Sequence, residues 1–257
     1  MVNKIDLNMS EILDFTKSQL INSDCIEALK SMPDSSVDCI ITDPPYNLGL
    51  FMHQRGTNLK KMRDNQFAFA GWDNMEFEQW EKNMEVFFAQ CSRVLKTRGT
   101  MIVFMAIIKV EDIIRLATQH KFYYKTTGIW HKTNPMPRNM KIQFVNSTEC
   151  WIYFVKNAGT GTFNNGGKAR HDFIESSVCP MSEKRHGNHP TQKPLSIMKQ
   201  LIEIVTNPDD IVLDPFMGSG STCVAAALTG RRYIGIELSE EYYNIASARI
   251  SNLSELK

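Results

Sequence analysis

The chain predicts an α/β fold, a Rossmann-like, mostly parallel sheet of seven strands flanked by helices, in a single domain over residues 1–257. Three observations predict it. Apolar runs of strand length alternate with amphipathic stretches of helix length, which is the pattern of βαβ units. Residues 211–237 read strand, glycine turn, helix, strand without a break. Two strand-like runs stop at an Asp-Pro pair, Asp43-Pro44 and Asp214-Pro215, and proline has no N–H with which to continue a ladder.

In order, residues 18–24 form a first strand, and a short helix from Ile26 to Met32 leads through Pro33-Asp34 to a second strand, Val37–Thr42. Residues 47–75 have no sustained period and many polar side chains. A loop of that length in a compact domain serves function or stays disordered, and here a mobile lid is expected. Phe77, Trp80, Met84, Phe87, Phe88, Cys91 and Leu95 keep helical spacing, with Gly99 as the stop. Residues 100–105 form a buried strand, and Val110 to His120 an amphipathic helix. Residues 126–131 and 150–155 are apolar enough for two strands paired antiparallel at an edge of the sheet. Residues 157–188 are rich in Gly, Asn and basic side chains and break the pattern. Pro194 opens a helix to Asn207, residues 211–214 and 230–237 are strands around a helix from Thr222, and Ser239 caps a last helix to Ser251.

Composition bounds the function. At 42% hydrophobic and 22% charged, the chain is ordinary for a globular protein. Six scattered cysteines without a C-x-x-C pair, and no secretory signal, favour free thiols in a reducing cytoplasm. No apolar run reaches the roughly 18 residues of a membrane span. The histidines and cysteines show no metal-ligand spacing, so no metal is expected. Net charge is only +1, yet residues 131–193 hold nine Lys/Arg against four acids, and residues 51–65 add four against one. A basic middle on an acidic body suits a protein that meets phosphate on one side.

The two Asp-Pro termini carry the chemistry. Open α/β sheets bind ligands beyond the carboxyl ends of their strands. Asp43, Pro44, Pro45 and Tyr46 put a carboxylate, carbonyl oxygens free of any ladder, and an aromatic ring at such an end. That set suits a planar heterocycle carrying an amino group. At the second terminus, Asp214 and Phe216 run into Gly218, Ser219, Gly220, Ser221 and Thr222. The glycines let backbone approach a ligand closely, and the helix start presents N–H groups. The spacing is neither the dinucleotide fingerprint nor a P-loop. Glu237 closes the next strand, 17 positions beyond Gly220, where an acid commonly holds a ribose diol. The ligand therefore has a ribose and a small charged end.

Together these motifs resemble the amino-group DNA methyltransferases, which use S-adenosyl-L-methionine to modify adenine N6 or cytosine N4. Asp43-Pro-Pro-Tyr46 is similar to their catalytic motif, Asp214-Pro-Phe-Met-Gly-Ser-Gly220 to their cofactor motif, and His189-Pro-Thr-Gln-Lys-Pro194 to the segment before it. The order, catalytic motif first, resembles the circularly permuted beta group. The resemblance implies catalysis by Asp43, Pro44, Pro45 and Tyr46. It implies cofactor binding by Asp24, Cys25, His189, Thr191, Lys193, Asp214, Phe216, Gly218, Ser219, Gly220, Ser221, Thr222 and Glu237, with Thr191 and Lys193 at the methionine carboxylate and Asp214 at the ammonium. Target recognition falls in a short region at about 133–188, with base readout by side chains such as Asn164, Asn165, Arg170 and His171. Arg55, Lys60, Lys61, Arg63, Lys132, Asn134, Arg138, Lys168 and Arg170 are the expected nucleic-acid contacts. The expected partners are double-stranded DNA, a second copy in a homodimer, and a cognate restriction endonuclease. An Asp in the first motif position is commoner in adenine enzymes and implies adenine N6; cytosine N4 and a catalytically inactive DNA-binding module are the alternatives.

Overall fold

A computed structural model describes residues 14–48, 75–136 and 144–256. Its elements are β1 (Gln19–Asn22), α1 (Cys25–Ser31), β2 (Val37–Thr42), α2 (Phe77–Val94), β3 (Leu95–Met105), α3 (Val110–Gln119), β4 (Phe122–Lys132), β5 (Thr148–Lys156), β6 (Phe173–Ser176), α4 (Leu195–Val205), β7 (Ile211–Asp214), α5 (Ser221–Leu228), β8 (Arg232–Glu237) and α6 (Glu240–Ser251). The sheet runs β1-β8-β7-β2-β3-β5-β4-β6. Only the pairings of β5 with β3 and with β4 are antiparallel, so every other strand points the same way. No helix among the described residues is long and apolar enough to cross a membrane.

Connectivity sets the site. The βαβ unit β2-α2-β3 steps outward on one side of the sheet centre, and β7-α5-β8 steps outward on the other. β2 and β7 are neighbours, with Cys39 beside Val212, so the topological switch point lies between them. That is where an open sheet leaves a crevice at its carboxyl end. The two units cover opposite faces. Trp80, Met84, Phe87 and Phe88 of α2 pack with α1 and α3 on one face. Val224 to Ala226 of α5 pack with α4 on the other. The α2 side chains have no exposed surface, and each contributes about 1.5–3 kcal/mol by leaving water.

Two features differ from the sequence expectation. The sheet has eight strands, the extra one being β6, which pairs parallel to β4 and takes the edge. Four residues flanked by polar segments give too short a period to stand out. Gly99 does not stop a helix: α2 ends at Val94, and β3 starts at once at Leu95, with a register shift opposite Val37 and Cys39. Gly99 serves instead where a Cβ would lie 2.8 Å from the Asp38 carbonyl oxygen. Residues 157–172, part of the expected recognition region, begin at the amino end of the sheet. β5 runs against its neighbours, so its last residue, Lys156, lies at the amino end. There Asn164 donates from Nδ2 to the carbonyl oxygens of Glu203 and Thr206, at the finish of α4.

Candidate active site

β2 delivers Asp43 beyond Thr42, and Pro44 is buried directly after it. Tyr46 folds back so that its hydroxyl donates to Asp43 Oδ1 at 2.6 Å. Burial raises the phenol's pKa well above its ordinary value, and the charges of Asp43 and Glu149 add to the shift; it stays a donor at neutral pH. The other carboxylate oxygen, Oδ2, accepts from Lys193 Nζ at 2.5 Å. Lys193 Nζ also lies 3.1 Å from Glu149 Oε2, and Glu149 Oε1 lies 2.5 Å from Lys132 Nζ. Four charges thus alternate in sign: Asp43, Lys193, Glu149, Lys132. Burial alone would lower the Lys193 pKa; Asp43 and Glu149 outweigh it and raise it. Glu149 is the mirror case, with burial raising its carboxyl and the two lysines holding it below its usual value.

β7 delivers the second cluster. Asp214 accepts from the Phe216 N–H at 3.1 Å and from Thr222 Oγ1 at 2.6 Å. Burial pushes its carboxyl up to about 7, with those hydrogen bonds pulling the other way. The turn then needs two left-handed residues, Gly218 at φ +51° and Gly220 at φ +77°. A Cβ on Gly218 would sit 2.9 Å from His189 Nε2, and one on Gly220 2.9 Å from Ala246 Cβ. Glu237 ends β8 and accepts from the N–H groups of Gly218 and Ser239 at 2.9 and 2.8 Å. His189 lies against the turn and edge-on to Tyr242, 4.4 Å between ring centroids. Burial and then Lys193, Arg249 and Lys184 lower its pKa to about 4, so the imidazole is neutral. Thr191 Oγ1 is 3.5 Å from His189 Nδ1.

The clusters are joined. Ser221 Oγ, at the start of α5, donates to the Lys193 carbonyl oxygen at 2.8 Å, while the Lys193 ammonium holds Asp43. The segment before α4 therefore links the glycine turn to the Asp-Pro-Pro-Tyr terminus.

Comparison with known proteins decides the family. A family model described as DNA methylase matches residues 37–248. The chain belongs to the N6/N4 DNA methylase family. It is 32% identical to the Type II methyltransferase M.HinfI of Haemophilus influenzae over a 263-residue alignment, 95% of this chain and 71% of the relative. It is 31% identical to the Type II methyltransferase M2.DpnII of Streptococcus pneumoniae, over 93% of this chain and 91% of the relative. Among solved structures, M1.HpyAVI with SAM matches at 30% identity and a TM-score of 0.69, over 90% of this chain and 98% of that one. The cytosine-N4-specific PvuII DNA methyltransferase matches at TM-score 0.73 and 20% identity, over 93% and 89%; at that identity it shows the shared fold.

The cofactor of this DNA methylase is S-adenosylmethionine, and the residues present fit it. An acid closes β8 where a ribose diol is commonly held, and two glycines clear the turn. Asn22 pairs with Glu237 across β1 and β8, which brings Asp24 and Cys25 beside that acid. Asp24 itself caps α1, accepting from the N–H groups of Ile26 and Glu27, and Cys25 is a core thiol whose pKa burial raises.

Other expected site residues are placed elsewhere or otherwise engaged. Lys193, expected at the methionine carboxylate, meets Asp43 and Glu149. Lys132 pairs with Glu149, with its side chain only 16% exposed. Asn134 Oδ1 accepts from the Val178 N–H at 2.8 Å, which ties the chain after β4 to the chain after β6. Lys168 and Arg170 lie on the loop that begins at the amino end of the sheet, and the structure does not bring them to Asp43. Asn164 is engaged at α4, and Asn165 Oδ1 accepts from the Gly167 N–H. Arg55, Lys60, Lys61, Arg63 and Arg138, with most of the 47–75 loop, lie outside the described residues. Two residues were missed. Glu149 reads in sequence as a lone acid in a basic stretch, and Arg249 as a solvated helix residue; no local signal marks either.

Proposed function

We propose that this DNA methylase is a site-specific adenine-N6 methyltransferase acting on double-stranded DNA, with Asp43 and the Pro44 carbonyl as acceptors for the target amine. The observation that carries the reading is the hydrogen-bonded link from the glycine turn through Lys193 to Asp43. That link joins the turn after β7 to the residues after β2, and it supports reading the two as one site at the switch point.

An exocyclic amine is a poor nucleophile because its lone pair is delocalised into the ring. Accepting its two N–H groups at Asp43 and Pro44 draws the nitrogen toward tetrahedral geometry and localises that pair. Asp43 has the capacity: a carboxylate offers about four acceptor sites, and Tyr46 and Lys193 take two. The same two partners fix its orientation. Its negative charge favours the positive charge that develops on nitrogen. Bound S-adenosylmethionine supplies an electrophilic methyl group. No covalent enzyme intermediate is needed, and all six cysteines are buried and unpaired. A base must leave the duplex to reach Asp43, at a cost of a few kcal/mol, and stacking on an aromatic ring such as Tyr46 recovers about 1–3 kcal/mol. Adenine is preferred on the Asp in the first motif position.

The test is to incubate the protein with methyl-labelled cofactor and mixed-sequence duplex DNA, digest to nucleosides and identify the labelled one. Label in N6-methyldeoxyadenosine supports the proposal. Label in N4-methyldeoxycytidine overturns the choice of base, and no label with intact cofactor binding overturns catalysis. Size-exclusion measurements with and without DNA test a homodimer separately.

A further inference from the structure

Arg249, on α6, has no exposed surface, yet no carboxylate lies in salt-bridge range of it among the described residues. Its guanidinium points at the glycine turn. Nη1 donates to the Ser219 carbonyl oxygen at 2.6 Å and approaches Ser219 Oγ at 3.3 Å and Ser221 Oγ at 3.2 Å. Among the described residues, Nε and Nη2 have no hydrogen-bond partner. A buried cation is ordinarily paired. Were the side chain only a clamp between α6 and the turn, a neutral donor would serve the same carbonyl without the desolvation penalty.

The electrostatics of the turn supply the missing partner. Arg249, Lys193 and Lys184 all act on His189, the ring seated against Gly218. Lys193 is neutralised by Asp43 and Glu149, whereas the acid that acts on Arg249, Glu183, makes no ion pair with it among the described residues. On the other side of the turn stands the buried carboxyl of Asp214. The turn therefore has a buried cation with no contacting acid among the described residues on one side and an acid on the other, a charge pattern matched to a zwitterion.

We propose that Arg249 is a positioning residue for the cofactor's amino-acid end: its buried charge, acting through Ser219 and Ser221, favours the carboxylate of the bound ligand at the glycine turn. This rests on the reading of Asp214 to Thr222 as the cofactor turn. It assigns the selectivity for the carboxylate to a residue behind the backbone, out of contact with solvent. A charge there needs no rearrangement when the ligand arrives.

The experiment is calorimetric titration of the wild-type protein with S-adenosylmethionine and with its decarboxylated analogue, repeated for Arg249→Gln and Arg249→Met. The wild type is expected to prefer the carboxylate-bearing ligand by about tenfold or more, the low end of what a charge-assisted contact contributes. Both variants are expected to lose most of that preference, while their affinity for the decarboxylated ligand stays within about twofold of wild type, since the effect acts on the charged group alone. Equal loss for both ligands makes Arg249 a clamp and overturns the proposal. An unchanged preference overturns it too. A wild type that binds both ligands equally overturns it without any variant, should the variants fail to fold. A wild type that binds neither ligand instead overturns the cofactor reading of the turn.

Discussion

Replacing Lys193 by methionine leaves the buried chain of charges one cation short. In the wild type, Asp43, Lys193, Glu149 and Lys132 sum to zero, and every carboxylate oxygen among them has a donor or cation within 3.1 Å. Without Lys193 the cluster carries −1, and among the described residues Asp43 keeps only the Tyr46 hydroxyl. Removing one partner of a buried pair costs about 3–5 kcal/mol. Asp43 and Glu149 retain 24% side-chain exposure, so water screens part of the penalty and the low end, about 3 kcal/mol, applies. For 257 residues the unfolding entropy is about 0.5 kcal/mol per kelvin, and the melting temperature should fall by about 6 °C. Urea unfolding at neutral pH measures the loss directly. Adding Glu149→Gln to Lys193→Met restores neutrality and should recover at least half of it. The sign with pH is fixed as well. Glu149 is held below its usual carboxylate range, so its stabilisation is present at neutral pH and is lost as pH falls through its folded value. Wild type and Lys193→Met should converge in acid. A single variant within about 1 kcal/mol of wild type, or a double variant equal to the sum of the singles, refutes the coupled network.

Three further outcomes are expected. Asp43→Asn should lower methyl transfer by about 100-fold or more and leave cofactor affinity within about twofold; equal transfer by the variant removes the role of the carboxylate. Asp214 and His189 should give opposed pH slopes in cofactor-free protein. With its carboxyl raised to about 7, Asp214 makes the native state bind more protons than the unfolded chain below that pH, so stability falls as pH rises toward 7; with its ring lowered to about 4, His189 makes stability rise with pH between about 4 and 6.5. Asp214→Asn should unmask the rise and His189→Gln the fall, read from urea midpoints across that window, and identical slopes in the two variants contradict the assignment. Gly220→Ala meets both a left-handed φ and Ala246 Cβ at 2.9 Å, whereas Gly230→Ala, at φ +74°, meets nothing within 4 Å. The first should cost about 1–3 kcal/mol and the second about 1 kcal/mol, and thermal melts that rank them the other way count against the tight packing of the turn on α6.

What sequence reading reached and what it missed divide along one physical line. Proline and glycine punctuate the chain locally, so the strand ends at Asp43, Asp214 and Glu237 were legible from their own neighbours, and the structure places all three on the carboxyl side of the sheet. Glu149 and Arg249 act through partners far along the chain: Glu149 with Lys193, Arg249 with Ser219 and Ser221. No local pattern distinguishes them from solvated charges. The amino-end placement of 157–172 is a different case, because it follows from an expectation already contained in the sequence. If residues 126–131 and 150–155 pair antiparallel, one of them runs away from the site. A parallel return would need a crossover of a dozen or more residues, usually a helix, and residues 133–147 show no helical period. Hence β4 ends at the site, and β5 carries the chain to the far end before β6 returns it. The Gly and Asn of 157–167 are then turn chemistry at that far end, with Asn157 and the glycines at 166 and 167 in left-handed backbone. Lys184 and Arg185 lie in the segment after β6, between Ser176 and Lys193. One reversed strand thus separates the basic residues on the Lys193 side from those at the amino end of the sheet, and composition alone, which pools both ends into a single basic middle, does not.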